Sequence, residues 1–333
     1  MKIEEYFMTN TVNYHNIVDQ LDFKDSVFPR VVQNQQKLSN LTQCTTWIEK
    51  NLKEFEDELT KSGALLFRGF PIDSAESFDV FSAAFGYKNF TYKESLSNAV
   101  RINFTERVFT ANEAPSDVEI YLHHEMAQTP ISPDKLFFFC KSAAERGGAT
   151  PICRSDQLYA ALAEQEPSLA NDFLNKGLKY TTHMPANDDH QSGQGRSWQS
   201  TLSVESKKQA EQKLIDLGYS WEWNNDGGLK AITPVLPAVK VLQNGVHVFY
   251  NQVIAAYMGW GIRDNPAKAI TFGDGSIIPV AGLDKIVTLA ANYTYDLKWQ
   301  DGDIVLLDNK MTMHGRRPFQ GQRKRQVLVA LAA

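Results

Sequence analysis

The sequence predicts a mainly β member of the α+β class: an antiparallel double-sheet barrel of jelly-roll or cupin type with flanking helices. Three observations lead there. Helical periodicity is confined to the front and middle of the chain. Most of the remainder is short apolar or alternating runs bounded by Gly, Pro and Asp-Gly turns. No internal repeat, low-complexity segment or composition break marks a linker, so residues 1–333 are expected to form one domain.

In chain order, TTWIEKNLKEFEDELTKSG carries Ile48, Leu52, Phe55 and Leu59 at helical spacing, and Gly63 can close that helix in a left-handed conformation. ALLFRGF (64–70) reads as a buried strand. Asp73 with Glu76 three residues on has the form of a capping box opening a second helix, along which Phe78, Phe81 and Phe85 line one face before Gly86. Residues 1–90 are therefore an N-terminal scaffold. From 98 to 153 the chain reads as strands and loops: RINF, RVFTAN, KLFFFC and the glycine turn ERGGATPIC. Residues 155–176 are helical, interrupted at Pro167 and ended by Gly177, and LKYTTHM (178–184) alternates like a strand. PANDDHQSGQGRSWQS (185–200) is polar and long for a connection, which predicts an active-site lid. A helix over 203–218 ends at Gly218. The rest reads as strands: WEWNN, LKAITPVLPAV, HVFYNQV, IVLLDN and QVLVALAA.

Composition narrows the partners. With 333 residues and 43% hydrophobic content, a sizeable core is available. A net charge of −5, with only a short basic run near the C-terminus, argues against nucleic acid. No apolar run approaches the ~20 residues that span a bilayer. MKIEEYFMTN lacks the basic and apolar regions of a secretory signal, and Cys44, Cys140 and Cys153 are too few and too scattered for a disulfide scaffold or thiolate metal site. The expected setting is cytoplasmic, and the expected partner is a small molecule.

The chemistry begins at YLHHEMAQTP. On a strand, His123 and Glu125 point one way and His124 the other, so an imidazole and a carboxylate can reach one cation. The best third ligand is His314 in DNKMTMHGRRPF, just after the apolar run Ile304–Leu307. Two histidines and one carboxylate leave three coordination positions open, the facial triad of non-haem Fe(II) oxygenases; zinc would also accept this set. Taken alone, H-x-E is weak, and a non-catalytic metal-binding barrel or a zinc hydrolase could use the same ligands. His15, His183, His190 and His247 lack comparable context, apart from the place of His190 in the lid segment.

LHHEM, PDKLFFFC, GGATP, GRSW, VFYNQ, FGDG, WQDGDIVLLDN and HGRRPFQGQRKRQ, in this order and spacing, resemble the taurine dioxygenase and clavaminate synthase-like family of Fe(II)/2-oxoglutarate oxygenases. The likeness runs from about GALLFRGF to the C-terminus. It implies a distorted double-stranded β-helix and Fe(II) held by His123, Glu125 and His314. It also implies 2-oxoglutarate as cosubstrate with O2, its distal carboxylate gripped by Thr150 and Arg325. Arg323 competes with Arg325, because spacing varies within the family and alternation, which puts both on one strand face, does not separate them. The implied reaction is oxidative decarboxylation of 2-oxoglutarate coupled to attack on an unactivated C–H bond of an amino-acid-like or carboxylate substrate, ordinarily hydroxylation. Related halogenases replace the carboxylate ligand with a small residue, so Glu125 argues against halogenation. Ring closure or desaturation of an N-substituted amino acid, as in kainoid synthases, stays open. Candidate substrate anchors are Arg101, Asn103, Asn112, Arg196, Trp198 and Arg316, with Met126 as apolar lining. Each also has a bland reading, as solvated charge, local salt bridge or packing.

Overall fold

The computed structural model describes residues 12–91, 96, 101–111, 114–188 and 195–333. Among them, a seven-stranded sheet runs in the order Tyr14–His15, Arg30–Gln33, Ala64–Arg68, Ile304–Asp308, Lys135–Ser142, Gln326–Ala332, Val108–Thr110. A four-stranded sheet runs Thr294–Leu297, Thr150–Arg154, Thr312–Arg316, Ile120–His123. The two sheets share one core. Leu136, Phe138, Val305, Val327 and Val329 of the large sheet pack with Ile152, Tyr295 and Leu297 of the small one. This is the layered architecture of a jelly roll. The pairing is antiparallel except between Arg30–Gln33 and Ala64–Arg68, which are parallel. A parallel pair needs a crossover, and helices Leu41–Lys50 and Leu52–Ser62 supply it.

The expected long first helix is two, broken at Asn51 and closed by Gly63 at φ 79°. Here glycine is needed twice over, since a Cβ would sit 2.6 Å from Thr312 Oγ1. The capping box of the next helix is Ser74 with Ser77, not Asp73 with Glu76. A serine at the extended N-cap position accepts from the Ser77 N–H and leaves Asp73 outside the helix. Phe78, Phe81 and Phe85 then pack against the outer face of the large sheet with Phe67, Phe137 and Phe139. The middle helices are Ser155–Gln165 and Pro167–Lys176, with Gly177 at φ 62°.

Two helices stand where strands or irregular chain were expected: Val253–Gly259 and Val280–Ala291. The expected helix over 203–218 is Lys207–Asp216, preceded by a short helix, Trp198–Leu202. These two pack on a separate four-stranded sheet, ordered Ser220–Trp223, Leu229–Ile232, Leu178–Met184, Ile270–Phe272. Met184, Trp198, Leu202, Leu214 and Leu229 form its own small core.

Candidate metal centre

The strand Ile120–His123 pairs with Thr312–Arg316 so that His123 and His314 are direct cross-strand neighbours. Their ring centroids are 4.3 Å apart. The regular strand ends at His123, yet the alternation of side chains carries on for two residues. Glu125 turns to the same side, with its Oε2 3.7 Å from His123 Nε2 and 3.5 Å from His314 Nε2. One ligand atom from each of the three lies within 4.8 Å of the others. His124 goes the other way. It is fully buried, bonds through Nδ1 to the Asn309 carbonyl and lies against the Tyr250 ring. Burial pushes its ring down to about 3, so it is neutral.

These three residues fit a divalent ion. The Tyr121 carbonyl can only accept, so His123 Nδ1, 2.8 Å away, donates to it, and Nε2 is the ring nitrogen turned toward the Glu125 carboxylate and placed to take a metal. Burial, with the neighbouring His123, pushes His314 down to about 4. Burial alone would raise Glu125, but contacts with His123 and His314 and the Arg101 charge hold its carboxyl well below the ordinary range. A neutral His314 and an ionised Glu125 are in the protonation states metal binding needs. Nitrogen and oxygen donors of this mixture suit Fe(II).

The backbone around Glu125 is held by Asn309, which the sequence alone leaves open either to point towards the site or to satisfy backbone groups at a strand end. Fully buried Asn309 accepts from the Glu125 N–H at 2.8 Å and donates to the Glu125 carbonyl at 3.0 Å and the Pro133 carbonyl at 2.7 Å. Gln252 donates to the His124 carbonyl. Asn251 donates to Ala238 O, a backbone group at a strand end. Gly315 lets the two ligand strands meet, because a Cβ there would lie 2.4 Å from the Ile120 carbonyl.

Two cavities adjoin the cluster. The inner one, about 50 Å³, lies inside the barrel and is lined by His123, Glu125, His314, Thr150 and Arg325 among others. Trp299 Nε1 donates to Thr150 Oγ1 at 2.9 Å, and Arg325 Nε donates to Gly148 O at 3.1 Å. No carboxylate pairs with Arg325 among the described residues, and burial pulls its guanidinium down to about 10. A half-buried cation without a counter-charge among the described residues is suited to an anionic ligand. The outer cavity, about 380 Å³, lies between the barrel and the separate four-stranded sheet. Arg101, Ile120, His123 and Glu125 line both.

Several expected residues stand elsewhere. Arg323 is exposed and pairs with Asp301; it lies in the turn before the strand begins at Gln326, so strand alternation never applied to it. Asn103 is exposed in a turn, bridged to Phe109, and lines neither cavity. Arg196 bonds to Ser200 of its own short helix, and Trp198 stacks edge-on against Trp223 in the small core. Met126 packs into the barrel core rather than lining a chamber. Arg316 borders the inner cavity, but its guanidinium donates to the carbonyls of Ala114, Pro115 and Val118. Asn112, with residues 189–194 of the expected lid, lies outside the described residues. Arg101 lines both chambers, with Nη2 3.9 Å from Glu125 Oε1.

A layered β fold with two histidines and a carboxylate able to hold one metal ion is the arrangement a mononuclear metal dioxygenase needs. Residues 33–331 match the taurine catabolism dioxygenase TauD, TfdA family, and the chain belongs to it. It is an Fe(II)- and 2-oxoglutarate-dependent dioxygenase, which removes the reading as a non-catalytic barrel. A clavaminate synthase-like protein of Arabidopsis thaliana is 39% identical over 278 residues, 83% of this chain and 84% of that protein. The dapdiamide synthesis protein DdaC of Enterobacter agglomerans is 27% identical over 283 residues, covering 80% and 82%. Among solved structures, asparagine oxygenase in complex with Fe(II), 2S,3S-3-hydroxyasparagine and succinate aligns with TM-score 0.53 at 11% identity, over 88% of this chain and 83% of that one. AAD-2 in complex with Mn(II) and N-oxalylglycine aligns with TM-score 0.51 at 16% identity, over 97% and 98%. At these identities the structures speak for the fold. No helix among the described residues is long and apolar enough to cross a membrane.

Proposed function

We propose that the protein hydroxylates an unactivated C–H bond of a small amino-acid-like or carboxylate substrate. In this reading the two sheets form a distorted double-stranded β-helix, and iron is held by His123, Glu125 and His314. The inner cavity takes 2-oxoglutarate, with Arg325 and Thr150 on its distal carboxylate, and the outer cavity takes the substrate. The observation that carries it is the position of the cluster in the wall shared by the two cavities. When bound, the iron supplies oxidation of the substrate coupled to decarboxylation of 2-oxoglutarate.

The protein's own part is placement and shielding. Arg325, half-buried and without a carboxylate partner among the described residues, orients an anion in the inner chamber. Apolar walls such as Phe109, Phe138 and Val329 keep water from the inner chamber. The short helix Trp198–Leu202, whose Thr201 and Leu202 line the outer chamber, covers the substrate side. The test is succinate release from Fe(II), 2-oxoglutarate and O2 across a panel of carboxylates and amino acids. Stimulation by at least one member is expected. No stimulation, together with no 2-oxoglutarate binding to the anaerobic Mn(II)-loaded protein, would overturn the assignment of the chambers.

A further inference from the structure

The charges around the outer chamber are lopsided. Among its described lining residues the only carboxylate is Glu125, already committed to the metal cluster, whereas Arg101 stands at the inner end and Lys268 is exposed at the rim. An open groove of about 530 Å³ adjoins the chamber and shares Thr181, His183 and Lys268 with it.

Strand geometry explains why that groove is basic. Lys179, Thr181 and His183 alternate onto one face of Leu178–Met184. Lys230 sits directly across from His183 on the neighbouring strand, and Thr271 across from Lys179. On its other side Lys230 faces Glu222, its direct partner on the next strand, at 3.8 Å. Lys179 and Lys268 have no ion-pair partner among the described residues, and no carboxylate lines the groove. Basic side chains directly opposed on a sheet bring no stabilisation of their own. In a chain of net charge −5, their gathering at this one mouth calls for a ligand.

We propose that the substrate is an elongated dianion. One anionic group lies toward Arg101 inside the chamber, and a second, a carboxylate or phosphate, emerges at the rim among Lys268, Lys179 and Lys230. This deepens the reading above and rests on the outer cavity being the substrate chamber.

The experiment uses the Fe(II)-loaded full chain. Succinate release is measured with α,ω-dicarboxylates and ω-phosphorylated carboxylates of increasing length, against monocarboxylates and free amino acids of equal length. The dicarboxylate and phosphate arms separate the two sources of the distal charge. At least one dianion is expected to stimulate turnover with a KM about tenfold or more below that of its monoanionic match, the gap narrowing as salt rises. K179Q/K268Q should raise that KM about tenfold and leave the monoanion's KM in place, and K268R should restore it. A merely structural role for the lysines would not separate the two ligands. A monoanion or free amino acid that works as well as any dianion would overturn the proposal, and so would an unchanged KM in K179Q/K268Q. Binding of 2-oxoglutarate to the Mn(II)-loaded protein is measured alongside. If it binds and nothing in the series stimulates, the dianion alone is wrong; if it does not bind, the chamber assignment falls and takes the dianion with it.

Discussion

Replacing Asn309 by alanine should damage both stability and metal binding, although Asn309 is not itself a ligand. The side chain is fully buried and makes three hydrogen bonds, two to the backbone of Glu125 and one to Pro133. The change strands three buried backbone groups. Each costs about 1–3 kcal/mol when left unpaired, and neighbouring losses overlap, so a total of about 3–5 kcal/mol is expected. Freed from this clamp, the Glu125 carboxylate loses its fixed approach to the two imidazoles. Losses of outer support of this kind weaken metal binding about 10–100-fold. Asn309→Asp is a sharper probe. It keeps an acceptor for the Glu125 N–H but sets an oxygen against the two carbonyls that Nδ2 now serves, so it should be nearly as damaging. Urea unfolding gives the first quantity, and calorimetric titration with Mn(II) on folded protein gives the second. A variant N309A with stability within about 0.5 kcal/mol of the parent and an unchanged Mn(II) affinity would refute the reasoning.

Other outcomes follow from the same geometry. His123→Ala should abolish Mn(II) binding, whereas His124→Ala should keep measurable binding and lose stability through its buried contacts; the reverse pattern, seen by calorimetry, would put the wrong imidazole at the metal. Arg325→Ala should raise the KM for 2-oxoglutarate by at least about 30-fold, from loss of a charge-assisted grip of roughly 2–3 kcal/mol, while exposed Arg323→Ala shifts it less than about threefold. Gly315→Ala should destabilise the protein by more than about 2 kcal/mol in thermal or urea unfolding, since the new methyl meets the Ile120 carbonyl at 2.4 Å. Burial lowers the Lys240 ammonium from 10.5 to about 8, where it lies over the Tyr250 ring. Between those values the unfolded chain holds the extra proton, so the Lys240 contribution to stability rises with pH across that window. The stability difference between the parent and Lys240→Met, measured from pH 7 to 10, should therefore shift in the parent's favour; a flat difference would show that Lys240 is not desolvated.

Much of the site could be read from the chain because its logic is local. The period of two divides His123 and Glu125 from His124, and that division survives even though the ladder ends at His123. Strong apolar runs such as KLFFFC and IVLLDN are strands because nothing else buries both faces of so short a segment. What escaped depends on contacts distant in sequence. Nothing in LLDN announces that its asparagine meets the backbone of HEM. The choice between Arg323 and Arg325 turns on where a strand starts, and pattern fixes that least well. The helix Val253–Gly259 is buried along most of its length, so it shows no polar face to mark its period. Val280–Ala291 was within reach, with Leu283, Ile286, Leu289 and Ala290 at helical spacing.

The pairing of His123 with His314 joins strands from distant parts of the sequence. An ion seated between them would act as a removable cross-link closing most of the chain into one loop. Such a link restricts the unfolded ensemble far more than a local one does, with the cost of closing growing as the logarithm of loop length. The clasp would then set how tightly the edge strand Ile120–His123 stays zipped to Thr312–Arg316, and a chelator would loosen the small sheet at that edge first.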